Sequence, residues 1–343
     1  MKKAFLWLGI GLAVAAAAVA GVLAYRMWYD HKAPNFTGPV ELFVYPDMEP
    51  AQVRDSIVAS GKVKKVASLD RALSEFPVLQ AGHYHIDPAC TSIYVGRMLS
   101  KGWQTPVRLT LSGAIRSPKV LARKIGAQML VDSAAVASFL YSNDSLASYG
   151  IDTTRLFTRV IPDSYEMVWT QPVREIMDRL NEEALAWWTP ERVAAARAQG
   201  LTPEEACTLA SIVDGETRYV PEQPTVAGVY LNRLRIGMKL QADPTIAYCY
   251  GYQLRRILRV HLAVDSPYNT YKYAGLPPGP ISCPPQSCLE AVLHPDVHNY
   301  IFFCADPSFN GSHRFASSYV EHLINARAFQ RALTERMRAK NNS

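Results

Sequence analysis

The stretch Leu209-Ala210-Ser211-Ile212-Val213-Asp214-Gly215-Glu216-Thr217 runs from an apolar segment into a polar one and closes on a carboxylate. Just upstream, Thr202-Pro203-Glu204-Glu205 has the form of a capping box with proline at the first helical position, so a helix is predicted to begin there. Counted from that start, Leu209, Ile212, Val213 and Glu216 share one helical face. A carboxylate on a core-facing stripe is uncommon, because its charged form loses hydration there. The same desolvation raises its pKa and keeps a glutamic acid protonated near neutrality, as a general acid requires. Asp214 falls off this face and is expected in solvent. A plainer reading stands beside the catalytic one: a carboxylate at a helix end often pairs with a neighbouring cation, and Arg218, Arg233 and Arg235 are candidates.

The chain around this stretch has 343 residues, enough for two or three domains, with 49% hydrophobic and 19% charged residues, which excludes a disordered chain. The net charge of +6 is spread out and includes no long basic run. It suits an anionic wall or membrane surface and argues against nucleic acid as a partner. Lys2 and Lys3 precede an uncharged apolar run over residues 4–25, closed by Arg26. As a helix this run is roughly 33 Å long, the thickness of a bilayer core. A cleaved signal peptide usually has a shorter apolar region, so an uncleaved anchor is expected, with a short cytoplasmic tail and an exported body. The six cysteines form no zinc-type repeat, and no metal is expected. Cys283 and Cys288 flank a short proline-containing loop; in an oxidising compartment they would pair, and otherwise they would be buried thiols.

Strand-like runs at 41–45 and 82–86 enclose helical stretches near 51–60 and 69–76, a strand-helix-helix-strand unit of binding-module size. A strand at 107–111 follows, then helices at 118–129, 133–141, 173–186 and 191–198 before the Glu216 helix. Residues 226–234 read as helical, and 317–340 as an amphipathic tail. The polar segment at 30–39 reads as a linker.

Several motifs cluster downstream of Glu216: Asn232-Arg233-Leu234, Leu240-Gln241-Ala242-Asp243-Pro244-Thr245, Tyr268-Asn269-Thr270-Tyr271 and Gly275-Leu276-Pro277-Pro278-Gly279. Tyrosine and asparagine together suit a sugar, since an aromatic face stacks on a pyranose while amides bind its hydroxyl and acetamido groups. Taken singly, each is also an ordinary turn. The run His294-Pro295-Asp296-Val297-His298 is broken by proline and reads as structural or surface histidines rather than a metal site.

Together and in this order, with Pro162-Asp163-Ser164-Tyr165 and Gly311-Ser312-His313-Arg314-Phe315, these motifs closely resemble the endolytic murein transglycosylase (YceG-like) family. The resemblance runs from the anchor almost to the C-terminus and is strongest over 209–281. It departs at Asp214, where many relatives have glutamate, but the Glu216-Thr217 pair and the helical face both select Glu216. The resemblance implies an α+β protein: a cytoplasmic tail and transmembrane anchor at 1–29, a linker at 30–39, a LysM-like and connecting α+β region at 40–150, and an α-rich, lysozyme-like catalytic domain at 151–343.

It further implies a lyase that needs no cofactor and cleaves the β-1,4 bond between N-acetylmuramic acid and N-acetylglucosamine, leaving 1,6-anhydro ends. Glu216 would be the single catalytic residue, first acid and then base. Asn232, Arg233, Gln241, Asp243, Tyr268, Asn269 and Tyr271 would bind substrate or brace the cleft. The partners implied are peptidoglycan strands, the bacterial inner membrane and peptidoglycan synthases. Two other readings remain open. A muramidase would need a second carboxylate, for which Asp243 and Asp265 are available. A wall-binding scaffold would need none.

Overall fold

The structure, a computed structural model, describes residues 2–341. Its elements fall into two compact units whose division does not follow chain order. One unit takes the chain up to Leu109 with Gln128–Leu130 and Tyr165–Gln171; the other takes Thr110–Ala127, Val131–Ser164 and everything from Pro172 on. Compactness therefore puts residues 110–127 and 131–150 with the later helices, whereas chain order groups them with the module that precedes them.

The first unit opens with α1 (Lys2–Lys32). Its side chains from Phe5 to Trp28 are exposed, and Phe5–Lys32 is long and apolar enough to cross a membrane. The helix does not stop at the expected linker. Asp30 lies within it and is only 7% exposed, accepting hydrogen bonds from Ser68 Oγ at 2.5 Å and from Nε and Nη2 of Arg71, each at 2.7 Å. Polar composition suggested a linker at 30–39 because the partners that bury Asp30 come from about forty residues further on.

Then come β1 (Val40–Val44), α2 (Pro50–Ala59), α3 (Val66–Glu75) and β2 (Gly82–Ile86), in the expected order. β1 and β2 pair antiparallel, with Leu42 opposite Tyr84 and Val40 opposite Ile86. Val40, Leu42 and Val44 alternate inward to meet Val53, Ile57 and Leu69 in one core. A further helix, α4 (Ser92–Lys101), completes this core, capped by Thr91 and stopped by Gly102 at φ 66°. Its sequence hides it, because Gly96 interrupts the apolar pattern. That glycine is required where it stands: a Cβ there would lie 2.8 Å from the Phe76 ring.

β3 (Val107–Thr110) precedes the short helices α5 (Pro118–Gly126), α6 (Ser133–Leu140) and α7 (Asn143–Ala147). β4 (Ser164–Met167) pairs with β3. In the second unit, α8 (Val173–Trp187) and α9 (Pro190–Ala198) lead to α10 (Pro203–Glu216). The predicted capping box is present: Thr202 Oγ1 accepts from Glu205 N, and Glu205 Oε2 accepts from Thr202 N. The helix is buried more completely than one apolar face implies, since every residue from Ala206 to Val213 is buried. α11 (Gln223–Arg235), α12 (Asp243–Cys249) and α13 (Gln286–Leu293) all pack against it. A hairpin of β5 (Phe302–Ala305) and β6 (His313–Ala316) follows, then α14 (Tyr319–Asn341). Buried Glu222, just before α11, holds that hairpin by accepting from both the backbone N and Nδ1 of His313, each at 2.7 Å.

All six cysteines are free thiols. Cys283 Sγ instead donates to the carbonyl of Val160 at 3.0 Å, and Cys288 is buried in the core of α10 and α13.

Candidate active site

Glu216 is the last residue of α10, and Thr217 after it is already extended. The helix thus delivers its final side chain from a buried axis to the edge of the core. Glu216 keeps partial exposure, while protein surrounds its carboxyl group. Tyr230, buried in the middle of α11, donates its hydroxyl to Glu216 Oε1 at 2.6 Å. Desolvation pushes the Glu216 pKa up to about 7, the Tyr230 hydrogen bond opposes this, the charge of Asp243 adds to it, and Arg233 opposes it. A carboxyl group with that pKa is divided between acid and base at neutral pH, as a residue that must give and then take a proton requires.

Asp243, at the start of α12, is exposed and accepts from the Tyr271 hydroxyl at 2.6 Å. Gly215 brings this helix close to α10: a Cβ on it would lie 2.5 Å from Pro244 Cβ. Gln241 sits in the left-handed region at φ 49°, and its backbone N bonds to Thr270 O. The 241–245 turn is tied again to the Tyr268–Tyr271 loop through Thr270 Oγ1, which accepts from Ala242 N and meets Thr245 Oγ1. An exposed, non-glycine residue held at positive φ by these bonds marks a turn fixed by its surroundings.

Three predicted residues are spent on structure. Asn269 is fully buried, donates to the carbonyls of Leu262 and Val264, and accepts from the backbone N of Tyr271 and Lys272. Its amide therefore shapes the loop. Asn232 donates to the carbonyls of His298 and Tyr300. Arg233 is 7% exposed, donates to the carbonyls of Ile301 and Leu240, and adds positive potential near Glu216 without pairing with it. His298, from the histidine-containing run, is structural too, with Nε2 2.9 Å from Thr225 O and Nδ1 accepting from Tyr300 N.

Tyr268 is buried and lines a cavity of about 590 Å3 with Tyr141, Phe157, Tyr248 and Tyr252. Asp265 lies in solvent, bonded to Lys272 and Tyr273. Asp214 is not in solvent as expected; it is partly buried, and desolvation raises its pKa although Ser282 and two arginines oppose this. Its side chain belongs to a different cavity, of about 290 Å3, lined also by Arg116, Arg218 and Gln223. Tyr230 is the residue that sequence reading missed. Its only signal was a hydroxyl inside an otherwise apolar helical run.

Residues 42–328 match the profile of the YceG-like family. The chain belongs to that family. This YceG-like chain is 43% identical over 115 residues to an endolytic murein transglycosylase of Bacillus subtilis (strain 168), a match covering 34% of the chain and 31% of that protein. It is 27% identical over 173 residues to the endolytic murein transglycosylase of Streptococcus pneumoniae serotype 2 (strain D39 / NCTC 7466), covering 49% and 31% respectively. The matched segments thus span about a third of the length of these relatives. A crystal structure of a YceG-like protein from Listeria monocytogenes shares the fold, with a TM-score of 0.55 and 23% identity over 83% of this chain and 98% of that one.

Proposed function

We propose that this YceG-like chain is a membrane-anchored lytic transglycosylase that cleaves the β-1,4 bond between N-acetylmuramic acid and N-acetylglucosamine in peptidoglycan. The observation that carries the reading is Glu216, a carboxyl group with its pKa near 7, held by the Tyr230 hydroxyl at the end of a buried helix. Protonated Glu216 gives its proton to the glycosidic oxygen as the bond to the muramic C1 breaks. The carboxylate left behind takes the proton from the C6 hydroxyl of the same sugar, whose oxygen closes on C1. The products are a free 4-hydroxyl and a 1,6-anhydro end, and Glu216 is again protonated. No water enters, so one carboxylate serves both steps.

Tyr271, Asp243 and Gln241 would contact the sugar, with Asn269, Asn232 and Arg233 holding the loops that place them. The aromatic cavity beside Tyr268 would take a neighbouring sugar ring. The strand-helix-helix-strand unit would serve as a LysM-like glycan-binding module. With α1 as anchor in the inner membrane, the enzyme would act outside it on strands newly made by peptidoglycan synthases.

Asp243 gives a second reading its footing, because it is the other carboxylate at the site, where it could direct a water and make the reaction hydrolytic. Incubating the full chain with purified peptidoglycan and weighing the released sugars decides between them. Anhydro ends support the transglycosylase, reducing ends the muramidase, and wild-type turnover by Glu216→Gln excludes both roles for Glu216.

A further inference from the structure

The groove between α1 and α3 has no part in the Glu216 chemistry, yet it is a formed cavity of about 630 Å3. One wall is the face of α1 that carries Ala18, Gly21 and Val22, followed by Tyr25 and Tyr29. The other is the start of α3, with Lys65 before it and Arg71 within it. Lys65 Nζ lies 2.7 Å from the Tyr25 hydroxyl and 3.9 Å over the Tyr29 ring. Arg26 lines the same groove and is exposed.

We propose that this groove binds an anionic phospholipid, with its phosphate against Arg26 and Lys65 and its upper acyl chain along Ala18, Gly21 and Val22. The inference rests on the reading of α1 as a membrane anchor. Ala18 stands seven residues before Tyr25, roughly 10 Å along a helix, which is the step from acyl region to headgroup region. Tyr25, Trp28 and Tyr29 form an aromatic collar of the kind that sits at that interface. Small side chains line the groove below the collar, and Arg26 and Lys65 stand at its level.

The charge balance selects the headgroup. Among the described residues no acid lines the groove and the nearby Asp30 is consumed by Arg71 and Ser68, so Arg26 and Lys65 are left there as two positive charges without a paired carboxylate. A zwitterionic choline lipid would bring its own cation against them. The groove is also preformed. Asn35, fully buried, donates to Lys65 O and Ser92 Oγ and accepts from Lys65 N, which fixes the start of α3 where α1 ends. A site whose walls are already held loses little ordering entropy on binding. A phospholipid seated there would set the orientation of the first unit at the membrane surface.

The test is native mass spectrometry of the full chain in detergent, titrated with phosphatidylglycerol or phosphatidylcholine. Phosphatidylglycerol should be retained over phosphatidylcholine, and Arg26→Gln/Lys65→Gln should lose it roughly thirtyfold, taking about 1 kcal/mol for each cation near a phosphate. The surface pair Lys119→Gln/Arg123→Gln, of equal charge change, should retain it. Lys65→Gln alone, which leaves the Asp30 and Asn35 contacts intact, should show an intermediate loss with an unchanged thermal transition. Equal retention of the two lipids, or full retention by the double variant, would overturn the site. Displacement of phosphatidylglycerol by an equimolar isoprenoid pyrophosphate, or by inorganic phosphate, would overturn the phospholipid assignment. The intact mass separates failure of the anchor reading from failure of the lipid site, because a chain processed before Arg26 lacks the Ala18, Gly21, Val22 and Tyr25 wall of the groove.

Discussion

Replacing Glu216 by glutamine should abolish turnover and at the same time stabilise the protein above neutral pH. The folded state raises the Glu216 pKa from 4.5 to about 7, chiefly by desolvation. Folded protein thus holds this proton more tightly than unfolded chain does. Stability from this group is therefore lost as pH rises from about 4.5 to about 7, and no further loss follows above that. At about 1.36 kcal/mol per pKa unit, the cost at pH 8 is about 3 kcal/mol, and at pH 5 under about 1 kcal/mol. Partial exposure of the residue reduces the larger figure to about 2 kcal/mol. Glutamine has nearly the same shape and can still accept the Tyr230 hydroxyl, but it never ionises. The variant should melt roughly 4–8 °C above wild type at pH 8 and about level with it at pH 5. Tryptophan fluorescence of the full chain in detergent at both pH values reads this directly. A melting difference that is the same at pH 5 and pH 8, or a variant less stable at pH 8, would refute the claim that burial of this carboxyl group raises its pKa.

The same group predicts the rate profile: kcat/KM on peptidoglycan should fall as pH rises through about 7, because the general acid is then lost. Asp243→Asn removes a charge that raises the Glu216 pKa, so that limb should move to lower pH; Tyr230→Phe removes a hydrogen bond that lowers it, so the limb should move to higher pH. A limb that stays in place in both variants would assign it to another group. Asn269→Ala leaves the carbonyls of Leu262 and Val264 and the backbone N–H of Tyr271 without their side-chain partner, while Lys272 N keeps its bond to the Asn269 carbonyl, and should cost roughly 2–4 kcal/mol in urea unfolding; a near-neutral result would return Asn269 to a role in contacting substrate. Thiol titration of the unfolded, unreduced chain should find six thiols, and four would show that one pair of cysteines is oxidised.

Much of the fold was legible because its signals are local. The Thr202–Glu205 capping box starts α10 where predicted, and β1 lies within one residue of the strand-like run at 41–45. The 82–86 strand has the predicted bounds. α4, α12 and α13 were not legible. Gly96 breaks the first, the second is seven residues long, and the third follows the 277–285 segment, where proline masks the onset of periodicity. The end of α1 was misplaced for a different reason: Asp30 looks like a solvated linker residue until Ser68 and Arg71 are brought to it.

At the candidate site, sequence determined which carboxylate ends the buried helix and which loops carry tyrosine, asparagine and aspartate. Only the tertiary structure decided what each polar group is spent on. Asn269 and Asn232 have the chemistry of sugar ligands but turn it inward to backbone carbonyls, while Tyr230, in an apolar run, supplies the hydroxyl that meets Glu216. Capping and periodicity depend on neighbours three or four residues away, which the chain order fixes. Desolvation and hydrogen-bond partnership depend on atoms from distant segments, such as Tyr230 beside Glu216 and Thr270 beside Ala242, and these meet only when the helices pack.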